Sequence, residues 1–182
     1  MDIAVQKSRI LIFLGILIVS QANAAELKKC SSAPLMVTSK KVGNVSYFAE
    51  DCQKNWQSQS IKMDFSYNRD IPEWAFKRAA THFLKKNVSG FDAKSPLNHI
   101  NELYRPIKSG DLYSLYYQHE NQKLELKLNQ KLLGSLNNPN ANQYFKIWFG
   151  SEPFNAKLKQ QLLRGCSRLA EVLLYENEDK SL

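Results

Sequence analysis

The sequence predicts an α+β domain in which helices pack on one side of an antiparallel sheet. Three observations lead to this fold class. Apolar and polar residues alternate in residues 60–67 and 123–129, as in half-buried strands. Apolar residues recur at helical spacing in residues 70–87. The elements follow as strand, helix, helix, hairpin, third strand and helix, with no internal repeat, which is typical of one α+β domain.

The first part of the chain contains no such pattern. Residues 25–42 are polar and irregular, and we expect a mobile leading segment there. The first strand is predicted over 60–67, where Ile61, Met63, Phe65 and Tyr67 alternate with polar residues. The helix predicted over 70–87 has Pro72 in its first turn, where proline is tolerated.

The second half supplies the remaining elements. A short helix is predicted over 95–104, with Ser95 as its cap and Pro96 as its first residue. Residues 112–118 and 123–129 predict a hairpin with one wet face, because leucines alternate with charged residues in its second arm. A tight turn at 129–131 leads into a third strand at 132–136.

The last elements follow a polar loop at 137–142. Four aromatics between Tyr144 and Phe149 predict a short buried helix, and Asn155 caps a further helix. The charged tail from Glu176 is expected to fray.

Residues 1–24 predict a signal peptide. Lys7 and Arg9 precede an apolar run at 10–19, and small residues follow at Ala22 and Ala24. The run is short for a membrane span, so we expect cleavage after Ala24 and a periplasmic or secreted protein. An uncleaved anchor is the alternative. The rest of the 182-residue chain is long enough for one domain with one core.

The formal net charge of +8 favours anionic partners, namely lipid headgroups, nucleic acid or an acidic ligand. The basic residues are scattered, however, as on an ordinary solvated surface. The aromatics lie at core-like spacing, so we expect no nucleic-acid partner. Peripheral contact with an anionic membrane surface is compatible with this charge, and no pattern predicts an oligomeric state.

The three cysteines and three histidines give no catalytic or metal-binding spacing. Export permits a disulfide, and Cys30–Cys52, which closes the shortest loop, is the favoured pair; this leaves Cys166 over. The histidines lack the spacing of a zinc site, and no cysteine has a histidine partner nearby in sequence. No P-loop, dinucleotide fingerprint or serine nucleophile motif is present, so we predict no cofactor and no metal.

Candidate binding residues come instead from arginines next to tyrosines. Arg69 follows Tyr67 at the end of the first strand, Arg105 follows Tyr104, and Tyr116 lies on the hairpin. A guanidinium with a tyrosine hydroxyl at the mouth of an apolar cleft can hold a carboxylate or phenolate. An exposed arginine beside a half-buried tyrosine is the simpler alternative. No residue is assigned a catalytic role, although Arg69 and Arg105 are the only candidates for one.

Residues 107–163 resemble the bacterial chalcone isomerase-like family, and residues 61–80 do so more loosely. The resemblance rests on landmarks that occur in order: Gly110, Asp111, Asn129, Gly134, Trp148, Gly150 and Pro153. It places the domain at 60–175, after a poorly matched segment at 25–59 and before a tail at 176–182.

The resemblance implies an open-faced sheet with helices on one side and a cleft between them. It implies a core role for Trp148, and a glycine at position 150 to let the backbone reverse direction. Plant enzymes of this fold cyclise chalcones without a cofactor, using an arginine after a glycine on an early strand. Here Gly43 is followed by Asn44, and Trp74 lies where those enzymes have a tyrosine. Related non-enzymatic members hold fatty acids with an arginine and a tyrosine.

Three functions follow from these observations. The first is an exported, non-catalytic domain that binds a lipophilic acidic small molecule such as a fatty acid. The second is a cofactor-free isomerase, of the intramolecular lyase type, that acts on a phenolic or enone substrate. The third is a structural or partner-binding protein. An apolar cleft with an inward-pointing arginine would favour ligand binding or isomerase activity over a structural or partner-binding role.

Overall fold

The structure is a computed structural model in which residues 26–164 are described. The predicted signal peptide, Cys166 and the charged tail therefore lie outside the described residues.

Six antiparallel strands form one sheet in which each strand pairs with the next along the chain. They are β1 (Lys28–Val37), β2 (Lys40–Ala49), β3 (Ile61–Tyr67), β4 (Leu112–Gln118), β5 (Lys123–Leu128) and β6 (Lys131–Asn137). The predicted α+β class, with an open-faced antiparallel sheet, is confirmed. The four strands expected from the sequence are all present. The other two, β1 and β2, lie within residues 25–59, where no strand was predicted.

The expectation of a mobile leading segment at 25–42 is wrong. Residues 28–37 form β1, which pairs along its length with β2. Two register irregularities interrupt β1, between Lys29 and Ser31 and between Leu35 and Met36. They break the period of two that marks a strand in sequence, and only Ala33 and Leu35 of this strand are buried. A disulfide joins Cys30 on β1 to Cys52, the pair that the sequence favoured.

Four helices cover one face of the sheet. They are α1 (Glu73–Asn87), α2 (Asn98–Leu103), α3 (Lys146–Phe149) and α4, which runs from residue 156 to the last described residue, 164. Short 3-10 helices lie at Trp56–Ser58 and Ala141–Phe145. The side chains of the sheet that point under the helices form one apolar core, whereas the opposite face carries charged and hydroxyl side chains.

The helix starts differ from the predictions in detail. Ser95 does not cap α2, because residues 95–97 form a turn in which the Ser95 carbonyl accepts from Asn98 N, and the helix begins after Leu97. Asn155 does cap α4, since its Oδ1 accepts a hydrogen bond from Leu158 N at 3.0 Å.

The aromatic segment at 144–149 belongs to the core. Tyr144 and Phe145 are completely buried. The ring of Phe149 packs edge-on against Tyr47 at 5.3 Å, and Trp148 packs on Phe65 at 4.9 Å. The segment therefore fills the space above β2 and β3.

Gly150 is required for a reason other than the one expected. Its φ of −68° is open to any residue, so no reversal of the chain depends on glycine here. A Cβ at this position would instead collide with the side-chain oxygen of Asn87. The Asn87 side-chain amide joins the end of α1 to the loop that follows α3. It accepts a hydrogen bond from Glu152 N at 2.9 Å and donates one to the Glu152 carbonyl at 2.8 Å.

The other landmarks of the resemblance form turns and close contacts. Gly110 has a φ of 97°, and its N–H donates to the Tyr67 carbonyl at 2.8 Å. Asp111 accepts from Asn129 Nδ2 at 2.7 Å, and Asn129 in turn accepts from Leu112 N. Together these residues fasten the ends of β3, β4 and β5. Two further landmarks pack in place: a Cβ at Gly134 would strike Leu103 of α2, and Pro153 is half-buried in the loop before α4.

Candidate functional site

A cavity of about 340 Å³ lies between α1 and the covered face of the sheet. Apolar side chains make up nearly all of its wall, with one basic and one acidic residue among them. The lining residues are Leu35, Val37, Val42, Phe65, Tyr67, Arg69, Asp70, Ile71, Ala75, Phe76, Ala79, Ala80, Tyr104, Tyr113, Leu115, Leu126, Ile147, Trp148 and Phe154.

The cavity exists because α1 presents small side chains to the sheet. Ala75, Ala79 and Ala80 line it, and their methyl groups reach less far than the leucines or phenylalanines that fill such positions elsewhere in the core. Phe83 and Leu84, one turn later, restore close packing at the end of the helix. The open volume therefore results from the small side chains in the first half of α1.

Aromatic rings build one wall of the cavity. Phe76 of α1 stacks on Tyr104 with ring centres 5.2 Å apart, and Tyr113 of β4 meets both rings edge-on. Tyr67 of β3 makes edge contacts with Phe76 at 5.6 Å and with Tyr113 at 6.3 Å. Such edge and stacked pairs hold the rings in fixed orientations.

Two of the three tyrosines that line the cavity, Tyr104 and Tyr113, have hydroxyl contacts within the fold, the former with the buried Tyr144. The Tyr113 hydroxyl accepts from Arg105 N and donates to the Arg105 carbonyl, both at 2.8 Å. Tyr144 donates to Asn101 Oδ1 at 2.6 Å, and its hydroxyl lies 3.5 Å from that of Tyr104. These groups stabilise the fold and have little capacity left for a ligand.

The hydroxyl of Tyr67 is different. It has no hydrogen-bond partner among residues 26–164, although Tyr67 is only 9% exposed and lines the cavity. Burial, followed by the neighbouring Tyr104 and Tyr113, raises the pKa of Tyr67 well above its ordinary value. At neutral pH the hydroxyl is therefore protonated and free to donate a hydrogen bond into the cavity.

Arg69 lies at the mouth of the cavity on a segment that is held on both sides. Asn68 N donates to the Val42 carbonyl at 3.0 Å, and Ile71 exchanges two backbone hydrogen bonds with Ile107. The Arg69 side chain is exposed, lines the cavity and forms no ion pair or hydrogen bond within the described part of the chain. A fixed backbone thus presents an unpaired guanidinium at the opening.

Asp70, the neighbouring acid, is occupied by other contacts. Its carboxylate accepts from Ser109 N at 2.9 Å and from Lys108 Nζ at 3.1 Å. The hydrogen bond from Ser109, followed by that from Lys108, lowers the pKa of Asp70 below its usual range. Asp70 is therefore ionised and paired at neutral pH, which leaves the positive charge of Arg69 uncompensated and makes Asp70 a weak base.

The structure brings together three of the five predicted binding residues, Tyr67, Arg69 and Tyr104. Arg105 does not line the cavity, and its guanidinium donates instead to the carbonyls of Glu102 and Tyr104. Tyr116 lies on the opposite face of the sheet, because side chains alternate along β4 and Tyr113 and Leu115 point inward.

Sequence reasoning missed the residues that create the space. The alanines of α1 were assigned to an apolar helix face, with no sign that the facing strands would leave a gap. The wall formed by Leu35, Val37 and Val42 was missed because β1 and β2 were not recognised as strands. Three alanines within six residues on one face of a helix were the available signal.

Residues 26–164 show neither a metal-ligand cluster nor a membrane-spanning helix. That part of the chain holds no cluster of three or more potential metal ligands. None of its helices is long and apolar enough to cross a bilayer.

Comparison with known proteins bears on both fold and family. Chains of known structure include a fatty-acid binding protein of Arabidopsis thaliana, which superposes with a TM-score of 0.60 at 15% sequence identity. The match covers 81% of this chain and 91% of that one, and at this identity it shows a shared fold. No curated protein sequence matches the chain. The sequence model described as chalcone isomerase-like matches residues 45–164, and the chain belongs to the chalcone isomerase-like family.

Proposed function

We propose that this protein binds a lipophilic acidic small molecule in the cavity between α1 and the sheet. The observation that carries the proposal is the pairing of an apolar chamber with two free polar groups, the Arg69 guanidinium at its mouth and the Tyr67 hydroxyl in its wall. A pocket with this balance of apolar wall and few polar groups is typical of small-molecule sites. The Arabidopsis protein of similar fold is itself named as a fatty-acid binding protein.

The volume sets the size of the molecule. At 340 Å³ the chamber lies at the lower end of the roughly 300–1,000 Å³ range of small-molecule sites, which suits a medium-chain acid. An acid with about ten carbon atoms fits this space, with its carboxylate at Arg69 and its chain against the alanines of α1. A longer chain would extend through the opening beside Val37.

The lining residues favour binding over turnover. An isomerase that forms an enolate or activates a phenol needs a general base, and the only carboxylate lining the cavity is that of Asp70. Its oxygens are held by Ser109 and Lys108, and its pKa is lowered. The tyrosines have raised pKa values and are proton donors, not bases, at neutral pH.

The proposal also places the protein outside the cytoplasm, in a periplasm or secreted. It is supported by the basic start, apolar run and small residues of 1–24, and by the disulfide between Cys30 and Cys52. Amino-terminal sequencing of the exported protein should begin at Ala25, and an intact Met1 would contradict this part of the proposal.

A titration with decanoate and decanol tests the proposed ligand. Decanoate should bind the purified protein more tightly than decanol, which has the same chain but no charge. Arg69→Gln should weaken decanoate by about tenfold or more and leave decanol nearly unchanged, since a hydrogen bond to a charged group is worth about 1.5–3 kcal/mol. Calorimetry measures both affinities.

Two further variants sharpen this test. Arg105→Gln is the matched control, because its guanidinium is bound to backbone carbonyls outside the cavity. Ala79→Leu fills the chamber and should abolish binding of both ligands without unfolding the protein. Equal losses in Arg69→Gln and Arg105→Gln would refute the assigned site. Ring closure of an added chalcone that Ala79→Leu abolishes would instead support the isomerase.

A further inference from the structure

The solvent-facing side of α1 has an unusual composition. Trp74, Arg78, His82 and Lys85 lie at offsets of 0, 4, 8 and 11 residues, which places them on one face of the helix. All four are exposed, and Trp74 is 63% exposed, the largest value for any large apolar side chain in the described residues. This face thus carries an exposed aromatic ring together with the cations Arg78 and Lys85.

The charge on this face is unbalanced. The only acidic residue of α1 is Glu73, and it is paired with Lys77 at 2.7 Å. Arg78 and Lys85 form no ion pair within residues 26–164. Unpaired cations on a helix face attract an extended anionic surface, because their contributions add over the whole face.

Residues that line the cavity lie close in sequence to the start of this face. Ile71 and Ala75, which both line the cavity, lie three residues before and one residue after Trp74. The unpaired Arg69 lines the cavity as well. The start of the helix face is therefore near the cavity along the chain, whereas the face itself is exposed to solvent.

We infer that the exposed face of α1 docks on an anionic lipid surface, with Trp74 in the headgroup region. Tryptophan is favoured at that depth because its ring is apolar and its N–H finds polar partners. A cationic face with one aromatic anchor binds at the surface and does not span the bilayer. The docking does not depend on what the cavity holds, so it goes beyond the proposed ligand binding.

Fluorescence quenching in vesicles tests this orientation. The probe is phosphatidylcholine vesicles with brominated acyl chains and about 30% phosphatidylglycerol, a content that gives the surface a negative potential. Tryptophan emission of the wild-type protein should be quenched, and the quenching should be lost in Trp74→Phe, since Trp148 is buried and Trp56 packs against Phe149 of the core. Arg78→Gln and Lys85→Gln should each weaken partitioning by about fivefold. Vesicles without phosphatidylglycerol should give no quenching.

Lys131→Gln and Leu132→Ala on the edge strand β6 are the matched controls, because both residues are exposed and lie away from the cavity. Unchanged quenching in these two variants is expected. Quenching that persists in Trp74→Phe, or losses in the controls equal to those in the helix variants, would overturn the inference. A dimer that Trp74→Ala dissolves would show that a second copy covers this face and would likewise overturn it.

The outcome is separable from that of the ligand titration. The helix-face variants should bind decanoate normally in vesicle-free solution, since their side chains do not line the cavity. A protein that fails to bind decanoate yet shows quenching at Trp74 would retain the docking surface and lose only the proposed ligand.

Discussion

The helical layer contains two apolar regions on the same side of the same sheet, yet one is filled and the other is open. Above β2 and β3, residues 141–149 bring Tyr144, Phe145 and Phe149 into close contact with the strands. Below α1, alanines face the sheet and leave a chamber of 340 Å³. The two regions do not differ in hydrophobicity. They differ in the size of the side chains that the helices present to the sheet.

The two regions also treat their hydroxyl groups differently. In the filled region, Tyr144 donates a short hydrogen bond to Asn101, as a buried hydroxyl must if its burial is not to be costly. In the open region, Tyr67 keeps a hydroxyl without a protein partner. A free donor is tolerable in a chamber that can admit a ligand or water, so the proposed binding is assigned to the open region.

The largest effect is expected at Trp148, which separates the two regions. Its ring packs on Phe65 and also lines the cavity, so Trp148→Ala should join the chamber to the filled core. The free energy of unfolding should fall by about 3–5 kcal/mol. Urea denaturation measures the loss.

The exposed Trp74 is the matched control for this change. Trp74→Ala should alter the free energy of unfolding by no more than about 0.5 kcal/mol, because the side chain is 63% exposed. A Trp148→Ala protein with the stability of the wild type would show that the aromatic segment is not the core element described above.

A pair of tyrosines gives the next largest effect. Tyr113→Phe removes both hydrogen bonds to the Arg105 backbone and leaves those groups unpaired, so it should cost about 1–3 kcal/mol. Tyr67→Phe breaks no bond within the described residues and should change stability by less than about 0.5 kcal/mol. Thermal melts of the two variants, run side by side, measure the difference.

For ligand affinity, in contrast to stability, the larger loss should occur in Tyr67→Phe and the smaller in Tyr113→Phe. Tyr67→Phe should weaken decanoate by about tenfold or more, the worth of one hydrogen bond to a charged group. Tyr113→Phe, measured well below its melting temperature, should bind nearly as well as the wild type. Equal stability losses in the two variants would contradict the view that the Tyr67 hydroxyl is free whereas that of Tyr113 is bonded.

Much of the fold is readable from sequence because the elements concerned are regular. β3, β4 and β5 have an unbroken period of two, and α1 has one continuous apolar face, so each was predicted close to its observed bounds. β1 was missed because register irregularities and surface serines and lysines hide its two buried residues. Pairing with β2, a non-local interaction, decides its structure.

The site was only partly predictable for a related reason. Arg69 and Tyr67 could be found because they lie two residues apart at a strand end. Arg105 fits the same rule with Tyr104, and Tyr116 was chosen as a tyrosine of the hairpin, but the path of the backbone turns both away from the cavity. A cavity is a property of residues that face each other across two elements, and no local pattern contains the distance between α1 and the sheet.

The smallest expected effect on stability concerns the face of the sheet that the helices do not cover. There, ion pairs take the place of apolar contacts. Glu125 is 7% exposed and lies 2.7 Å from Lys123 and 3.0 Å from Lys127. Burial by itself would raise the pKa of Glu125, but the hydrogen bonds from the two lysines outweigh it and the pKa is lowered. Because the folded pKa is below the unfolded one, the stabilisation is complete above the unfolded pKa and is lost as the pH falls through the folded value.

Glu125→Gln should therefore flatten the acid limb of the stability curve. Asp70 and Asp111 also have lowered pKa values, so a residual slope should remain. The difference in unfolding free energy between wild type and Glu125→Gln should shrink by less than about 1 kcal/mol from pH 7 to pH 3, since both lysines are a third exposed. Glu120→Gln, at an exposed position in the β4–β5 turn, is the matched control for the change of charge. An acid slope steeper in Glu125→Gln than in the wild type would mean that burial outweighs the lysines, so that this face, like the open chamber beneath α1, holds a polar group that the fold does not satisfy.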